Sequence, residues 1–473
     1  MPLLRIFTIG LSLTLFQAHA KNIEQYQHYL PVGANIAVIV QPVNTDKTFV
    51  DYNSRLMMLP ASTQKVITAL ASMLELGKDY RFKTTFESKG KIQNNILQGD
   101  LVARFTGDPS LTRKRISLMI KQLKSRGINR ISGNLIVDTS IFASHDRPSG
   151  WSWNNNTHCY SAPPGAAVID QNCFYVKLEP TTKSGELIKA NVLSGYPVTL
   201  TSEARAFTPK AKEARYCEFD IIAKDNNQFT LTGCLAQQKQ PVTLSFAIQD
   251  SALYAGQVIR NELSQAGIKL NGQIRITAQP DNMTILASTQ SEPLSTLLTT
   301  MLKRSDNITA DTLFRVLGHR YTGTPGTWRS GGIAVKQILS KKAGIDLQNS
   351  VIADGSGLSR QNLISAYVMM QILQYIAAND NQLGLINMLP ISGLDGTLQK
   401  RKGLKDAGLD GMVYAKTGAL SDVYNLAGFI KTHSGKQLAF VQLISGYSPS
   451  DNSKKHSLNL FEMNFYRELY TNH

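Results

Sequence analysis

The sequence predicts an α/β protein whose main domain is split by a long β-rich insertion. Three observations carry this. Helix-period apolar runs stand beside strand-like runs towards both ends of the chain, the middle is a succession of short β-like runs broken by turn residues, and all four cysteines fall in that middle. The expected limits are 21–82 for the first part of the main domain, 83–287 for the insertion and 288–473 for the second part.

Taken in order, residues 1–20 read as a secretory signal. Arg5 supplies the charge, "IFTIGLSLTLF" the apolar core, and "AHA" the small residues of a cleavage site after Ala20. The core is shorter than the ~20 apolar residues of a spanning helix. The mature chain, about 450 residues, is long enough for two or three domains. An exported protein meets an oxidising compartment, so Cys159, Cys173, Cys217 and Cys234, which lack metal-site spacing, read as two disulfides. Three pairings exist. The sequence-adjacent one, Cys159–Cys173 with Cys217–Cys234, is favoured, each bridge closing a loop of roughly 15 residues. The formal charge of +16 argues for an anionic polymer or weak membrane-surface association, and export argues against nucleic acid.

"NIAVIVQPVNTDKTFVDYN" reads as a hairpin turning at Asn44–Thr45–Asp46–Lys47. A helix then starts near Ser62 and runs to about Leu76, with Val66, Ile67, Leu70 and Met73 on one face. The insertion follows with "RFKTTFESKG", "GDLVARFTG", "GNLIVDTS" and "FTLTGCL" as strands. Helical spacing returns in "PLSTLLTTMLKRSDNITADTLFRVLG" and "SAYVMMQILQYIAA". "MVYAKTG", "NLAGFIKT" and "QLAFVQLISGY" read as strands, the last two flanking a Ser434–Gly435–Lys436 turn. The closing helix, with Leu460, Phe461, Phe465 and Leu469, suits core packing better than a membrane contact.

Three motifs stand in this frame. Ser62-x-x-Lys65 opens a helix, Ser305–Asp306–Asn307 lies between two helices, and Lys416–Thr417–Gly418 ends a strand. Singly they are weak. Ser-x-x-Lys recurs at Ser88–Lys91 in what reads as a surface turn, Ser-Asp-Asn recurs at 450–452, and Ser62 alone would serve as a helix cap. The ordered trio is specific, being that of penicillin-binding proteins and class A β-lactamases.

The chemistry is acyl transfer. A serine hydroxyl needs a neighbouring base, and a spacing of three on a helix puts Lys65 beside Ser62. A lysine at a positive helix terminus, buried and near a second cation such as Lys416, loses its proton more readily. Ser305 suits a proton relay to the leaving amine, and Asn307 a grip on the substrate amide or on Lys65. Lys416 suits a substrate carboxylate. The Ser62 and Ala419 amides suit an oxyanion hole, and Gly418 leaves room for a substrate along the strand. In "DGSGLSR" (Asp354 to Arg360), Gly355 and Gly357 read as positive-φ turn residues, and Arg360 as a surface residue or a carboxylate clamp. His145, His158 and His319 share no ligand spacing, so no metal or cofactor is expected.

On "ASTQK", "KRSDNITAD", "DGSGLSR", "AKTG" and "NLAGF", the chain resembles the class C low-molecular-mass penicillin-binding proteins of the penicillin-binding protein 4 type. The resemblance spans nearly all of the mature chain. It implies a transpeptidase/β-lactamase-like domain, helices on an antiparallel sheet, carrying two inserted β-rich subdomains. It also implies a periplasmic serine D-Ala-D-Ala carboxypeptidase and endopeptidase that cleaves peptidoglycan stem peptides through a Ser62 acyl-enzyme and is trapped by β-lactam antibiotics. Carried over by residue, Ser62 and Lys65 are nucleophile and base, Ser305 and Asn307 the second motif, and Lys416, Thr417, Gly418 and Ala419 the substrate strand. Two departures bear on preference. Asn154, Asn155 and Asn156 stand where relatives carry an acidic residue, and Ala419 stands where a hydroxyl residue is common.

A serine β-lactamase is the nearest alternative. No glutamate occurs between Ser305 and Lys416 to drive class A deacylation, and Ser305 stands where class C enzymes begin their second motif with tyrosine. A non-catalytic wall-binding scaffold is the other alternative, and the complete set of polar motif residues argues against it.

Overall fold

The computed structural model describes residues 21–45, 47–448 and 457–473. The leader, Asp46 of the first turn and the second Ser-Asp-Asn at 450–452 lie outside the described residues.

A central sheet gathers strands from both ends of the chain. In Asn35–Pro42 (β1), Ile36, Val38 and Val40 alternate with Ala37 and Ile39, and all five are buried, so both faces of the strand are covered. Val50–Tyr52 (β2) returns antiparallel, with Tyr52 opposite Val38. Gln64–Leu76 (α1) follows and ends at Gly77, whose φ of 79° suits glycine. After the insertion come Leu294–Arg304 (α2), Asn307–Thr322 (α3), Trp328–Ala343 (α4) and Ala366–Leu383 (α5). Val413–Leu420 (β3), Val423–Lys431 (β4), Gln437–Ser445 (β5) and Leu458–Asn472 (α6) complete the chain. The strands lie in the order β2-β1-β5-β4-β3, every pair antiparallel, with β3 at the edge.

The two faces of the sheet build two cores. Ala37, Ile39, Phe429 and Val441 pack against Leu70, Leu298, Phe314 and Leu373 of the helices that follow β2. Val38, Ile430, Phe440 and Ile444 pack against Phe461, Phe465 and Leu469 of α6. The apolar face of the last helix is therefore a core face. Each such side chain contributes about 1.5–3 kcal/mol on burial.

The insertion starts and ends on paired strands. Lys83–Ser88 runs antiparallel to Thr284–Gln290, so the chain leaves and rejoins the main domain at one place. These two belong to a five-stranded sheet with Leu101–Arg104, Leu135–Asp138 and Ile274–Ile276. Helices Arg113–Ser125 and Ser251–Gln265 pack on it through Ile116, Met119, Ile120 and Leu123 and through Tyr254, Val258, Ile259 and Leu263. Further out, Cys173–Leu178 forms a three-stranded sheet and Gln228–Ala236 the spine of a five-stranded one. Cys159 is joined to Cys173 and Cys217 to Cys234, with Cα separations of 5.6 and 5.5 Å.

Three long helices are additions to the sequence reading. The two in the insertion show apolar residues at helical spacing, but basic and polar neighbours dilute the pattern. In α4, Gly331 and Gly332 argue for a turn by propensity. Packing overrides it: a Cβ on Gly331 would meet Phe314 at 2.5 Å, and one on Gly332 the Ile352 carbonyl at 2.6 Å. The second Ser-x-x-Lys falls at a surface turn as read, with Lys89–Lys91 linking two strands and Lys89 and Lys91 exposed. Ser88 is buried at a strand end, its hydroxyl donating to the Asp100 carbonyl at 2.7 Å.

Candidate active site

Ser62 lies in a single 3-10 turn, Ala61–Thr63, that leads into α1. The helix starts without a side-chain cap, because the Thr63 hydroxyl turns back to the Pro60 carbonyl at 2.7 Å. The half-exposed Ser62 hydroxyl instead receives a hydrogen bond from Lys65 Nζ at 3.0 Å. Lys65 is fully buried, and Nζ also donates to Asn307 Oδ1 at 2.6 Å and to the Ser356 carbonyl at 2.7 Å. Burial lowers its pKa to about 8, against the raising effect of Asp311, Asp354 and Asp306. A neutral amine has two N–H groups and one lone pair. Asn307 and Ser356 take the two hydrogens, which leaves the lone pair facing the Ser62 hydroxyl.

The second motif is a hinge between helices. Ser305 ends α2 in the left-handed conformation (φ 58°), and Asp306 caps α3, accepting from the Ile308 amide at 3.2 Å and the Thr309 hydroxyl at 2.5 Å. This presents Asn307 to Lys65. The other end of the same amide, Nδ2, donates to the Tyr160 carbonyl at 2.7 Å. Ile308 packs with Ala162, Val168, Cys173 and Ala247, beside Cys159. One disulfide of the insertion thus backs the second motif.

The "DGSGLSR" loop delivers the Ser356 carbonyl. Asp311 Oδ1 accepts from the Gly355 and Ser356 amides at 2.9 and 2.8 Å. Burial and the neighbouring Asp354 raise the Asp311 pKa well above the usual carboxylate range. Asp354 accepts from the Gly357 and Ser359 amides, from Asn362 Nδ2 and, at 3.0 Å, from Trp151 Nε1 of the insertion. Gly357 has φ 81°, and a Cβ there would meet the Ala61 carbonyl at 1.8 Å. Gly355 differs from the sequence reading: its φ is not positive, and it is needed because a Cβ would meet the Ala310 carbonyl at 2.3 Å. Arg360 forms an ion pair with Asp422 at 2.8 Å, so the carboxylate it holds is the protein's own.

Lys416 and Gly418 lie on β3 opposite Ala427 and Asn425. On the outer edge the Ala415 amide is bonded to the Pro390 carbonyl at 3.0 Å. Strand alternation then turns the Thr417 and Ala419 amides outward as well. Gly418 lets the strand lie against the nucleophile turn, since a Cβ would meet the Pro60 carbonyl at 2.7 Å and Ala61 Cβ at 3.3 Å. Lys416 is fully buried, with Nζ 2.9 Å from the Thr417 carbonyl. Its pKa lies well below the usual lysine range through burial, then Lys65, then Arg401. The lowered Lys65 pKa and its burial agree with the sequence reading. Burial is the main cause for both lysines, and each disfavours the charged form of the other.

The D-Ala-D-Ala carboxypeptidase 3 (S13) family profile matches residues 19–463. The chain belongs to this family. Its S13 relative D-alanyl-D-alanine carboxypeptidase DacB of Haemophilus influenzae is 44% identical over 467 residues, 98% of this chain and 97% of that one. The crystal structure of penicillin-binding protein 4 (dacB) from Haemophilus influenzae superposes with a TM-score of 0.91 at 44% identity, covering 95% of this chain and 99% of that one. A second structure of that protein, complexed with a β-lactam, gives 0.85 at 42% identity and the same coverage.

Four groups at this S13 site escaped the sequence reading: Asp311, Asn425, Trp151 and the Tyr160 carbonyl. Asn425 Nδ2 donates to the Leu59 and Pro60 carbonyls at 2.8 and 2.9 Å, and Oδ1 accepts from the Ile444 amide. It lies within "NLAGF", where a polar residue opening an apolar strand was the available signal. Asp311 shows a signal too, being acidic within the apolar stretch of α3. Trp151 and Tyr160 reach the site from the insertion, and spacing along the chain gives no sign of it. Among the described residues no cluster of three or more His, Cys, Asp or Glu side chains stands ready to hold a metal, and no helix is long and apolar enough to cross a membrane.

Proposed function

We propose that this S13 chain is a periplasmic serine DD-peptidase that cleaves terminal D-Ala-D-Ala and D-Ala–diaminopimelate cross-links of peptidoglycan. The observation that carries it is the Lys65 amine, buried, 3.0 Å from the Ser62 hydroxyl, with its two other contacts on acceptors. Ser62 Oγ attacks the D-alanyl carbonyl while Lys65 takes its proton. The outward Ala419 amide and the Ser62 amide receive the oxyanion. Collapse breaks the C–N bond, and the proton passes by way of Ser305 to the leaving amine. Water then attacks the Ser62 ester, giving the free D-alanyl carboxylate and restoring Ser62. An arriving substrate carboxylate favours the ammonium form of Lys416, against the burial that lowers its pKa.

The secretory leader supports export with cleavage after Ala20, and the charge of +16 supports weak attachment to anionic membrane surfaces. The test is intact-mass spectrometry of the mature protein with benzylpenicillin, beside Ser62→Ala. A stable adduct of one penicillin, absent from the variant, is the expected result. Rapid turnover without an adduct would establish a β-lactamase instead, and neither adduct nor turnover would establish a scaffold.

A further inference from the structure

A second cleft opens where the insertion meets the second motif. It holds about 640 Å³ and is lined by Arg304, Arg113, Asp170, Tyr175 and Tyr196 among others. That volume suits an extended piece of a ligand. Arg304 immediately precedes Ser305, is exposed, and makes no ion pair among the described residues. Arg113 lies over the Tyr196 ring at 5.0 Å and reaches Asp170 at 3.9 Å, while its Nε is buried without a hydrogen-bond partner. The cleft therefore offers two guanidinium groups against one carboxylate, between tyrosine walls.

The cleft adjoins the second motif through Arg304, which immediately precedes Ser305. Tyr175 is two residues along its strand from Cys173, which packs on Ile308 beside Asn307, a step of about 7 Å. Ser305, beside Arg304, stands where the leaving amine receives its proton. What leaves past Ser305 is the second stem peptide of a cross-link, a chain that carries carboxylates, or a lone D-alanine when the substrate is a single stem.

We propose that this cleft binds a carboxylate of the leaving stem peptide, and so serves cross-link cleavage and not removal of a terminal D-Ala. This rests on the DD-peptidase reading above. Guanidinium forks match carboxylates, and a charge-assisted contact of this kind is worth about tenfold in rate or affinity.

The test measures kcat/KM of wild type, Arg304→Glu and Arg304→Lys on a cross-linked muropeptide dimer, on the same dimer with its stem carboxylates amidated, and on a monomeric pentapeptide. Penicillin acylation is followed alongside. Arg304→Glu should lose about tenfold or more on the dimer, with Arg304→Lys intermediate. Pentapeptide cleavage and acylation should be unchanged, and the amidated dimer should react at the variant's rate. Equal loss on dimer and pentapeptide, or no loss on either, overturns the proposal. A wild type that is acylated but leaves the dimer intact also overturns it. A wild type inert to penicillin and both substrates overturns the DD-peptidase reading itself.

Discussion

Asn307 Nδ2 donates to the Tyr160 carbonyl at 2.7 Å while its Oδ1 takes a hydrogen from Lys65, so one amide ties the insertion to the base. Asn307→Asp replaces the donor with an oxygen that faces the Tyr160 carbonyl. Benzylpenicillin acylation should slow by about 10²-fold. Limited proteolysis should also open the chain near Tyr160, which an effect confined to the chemistry would not do.

In the proposed mechanism Lys65 acts as the base through its neutral form. With its pKa lowered to about 8, the neutral fraction, and with it the acylation rate constant, should climb roughly tenfold per pH unit up to about 8 and then level. A rate that falls as pH rises through this range would exclude Lys65 as the base. Lys65→Ala should lose about 10²–10⁴-fold in acylation at every pH.

Gly357 tests the loop that supplies Ser356. Alanine there would place a methyl group 1.8 Å from the Ala61 carbonyl at a φ of 81°. Gly357→Ala should cost roughly 2–4 kcal/mol by chemical denaturation. The surviving folded protein should acylate slowly, because relief of the clash moves the nucleophile turn.

The two disulfides should part in their effects. Removing Cys217–Cys234 as a Ser/Ser pair should cost about 3 kcal/mol and leave acylation intact. Removing Cys159–Cys173 should cost a similar amount and also slow acylation, because that bridge stands beside Ile308 and Tyr160. Acylation rate constants of the two variants, compared below their unfolding transitions, decide it.

Much of the candidate site was legible because its members lie close together along the chain. Ser62 and Lys65 sit one turn apart, and Ser305 to Asn307 form one interhelical hinge. Lys416 to Ala419 lie on one strand whose alternation sets the outward amides. The rest is non-local. Trp151 meets Asp354, and Tyr160 meets Asn307, across long stretches of chain, so nothing in their neighbours announces the contact. Arg360 was legible as a carboxylate partner, but which carboxylate depends on the fold, which brings Asp422 to it. α4 was hidden because its glycines report close packing rather than a turn.

The sheet order β2-β1-β5-β4-β3 gives β1 its inner neighbour from Gln437–Ser445, the last of the five strands along the chain. Until that strand emerges, β1 keeps an open edge, and the turn bearing Ser62 lacks Asn425 and Gly418 to seat it. A nascent or truncated chain therefore carries Ser62 without a finished site. Closure of the sheet and assembly of the Ser62 site are thereby one event: the site comes into being only when the two ends of the main domain meet.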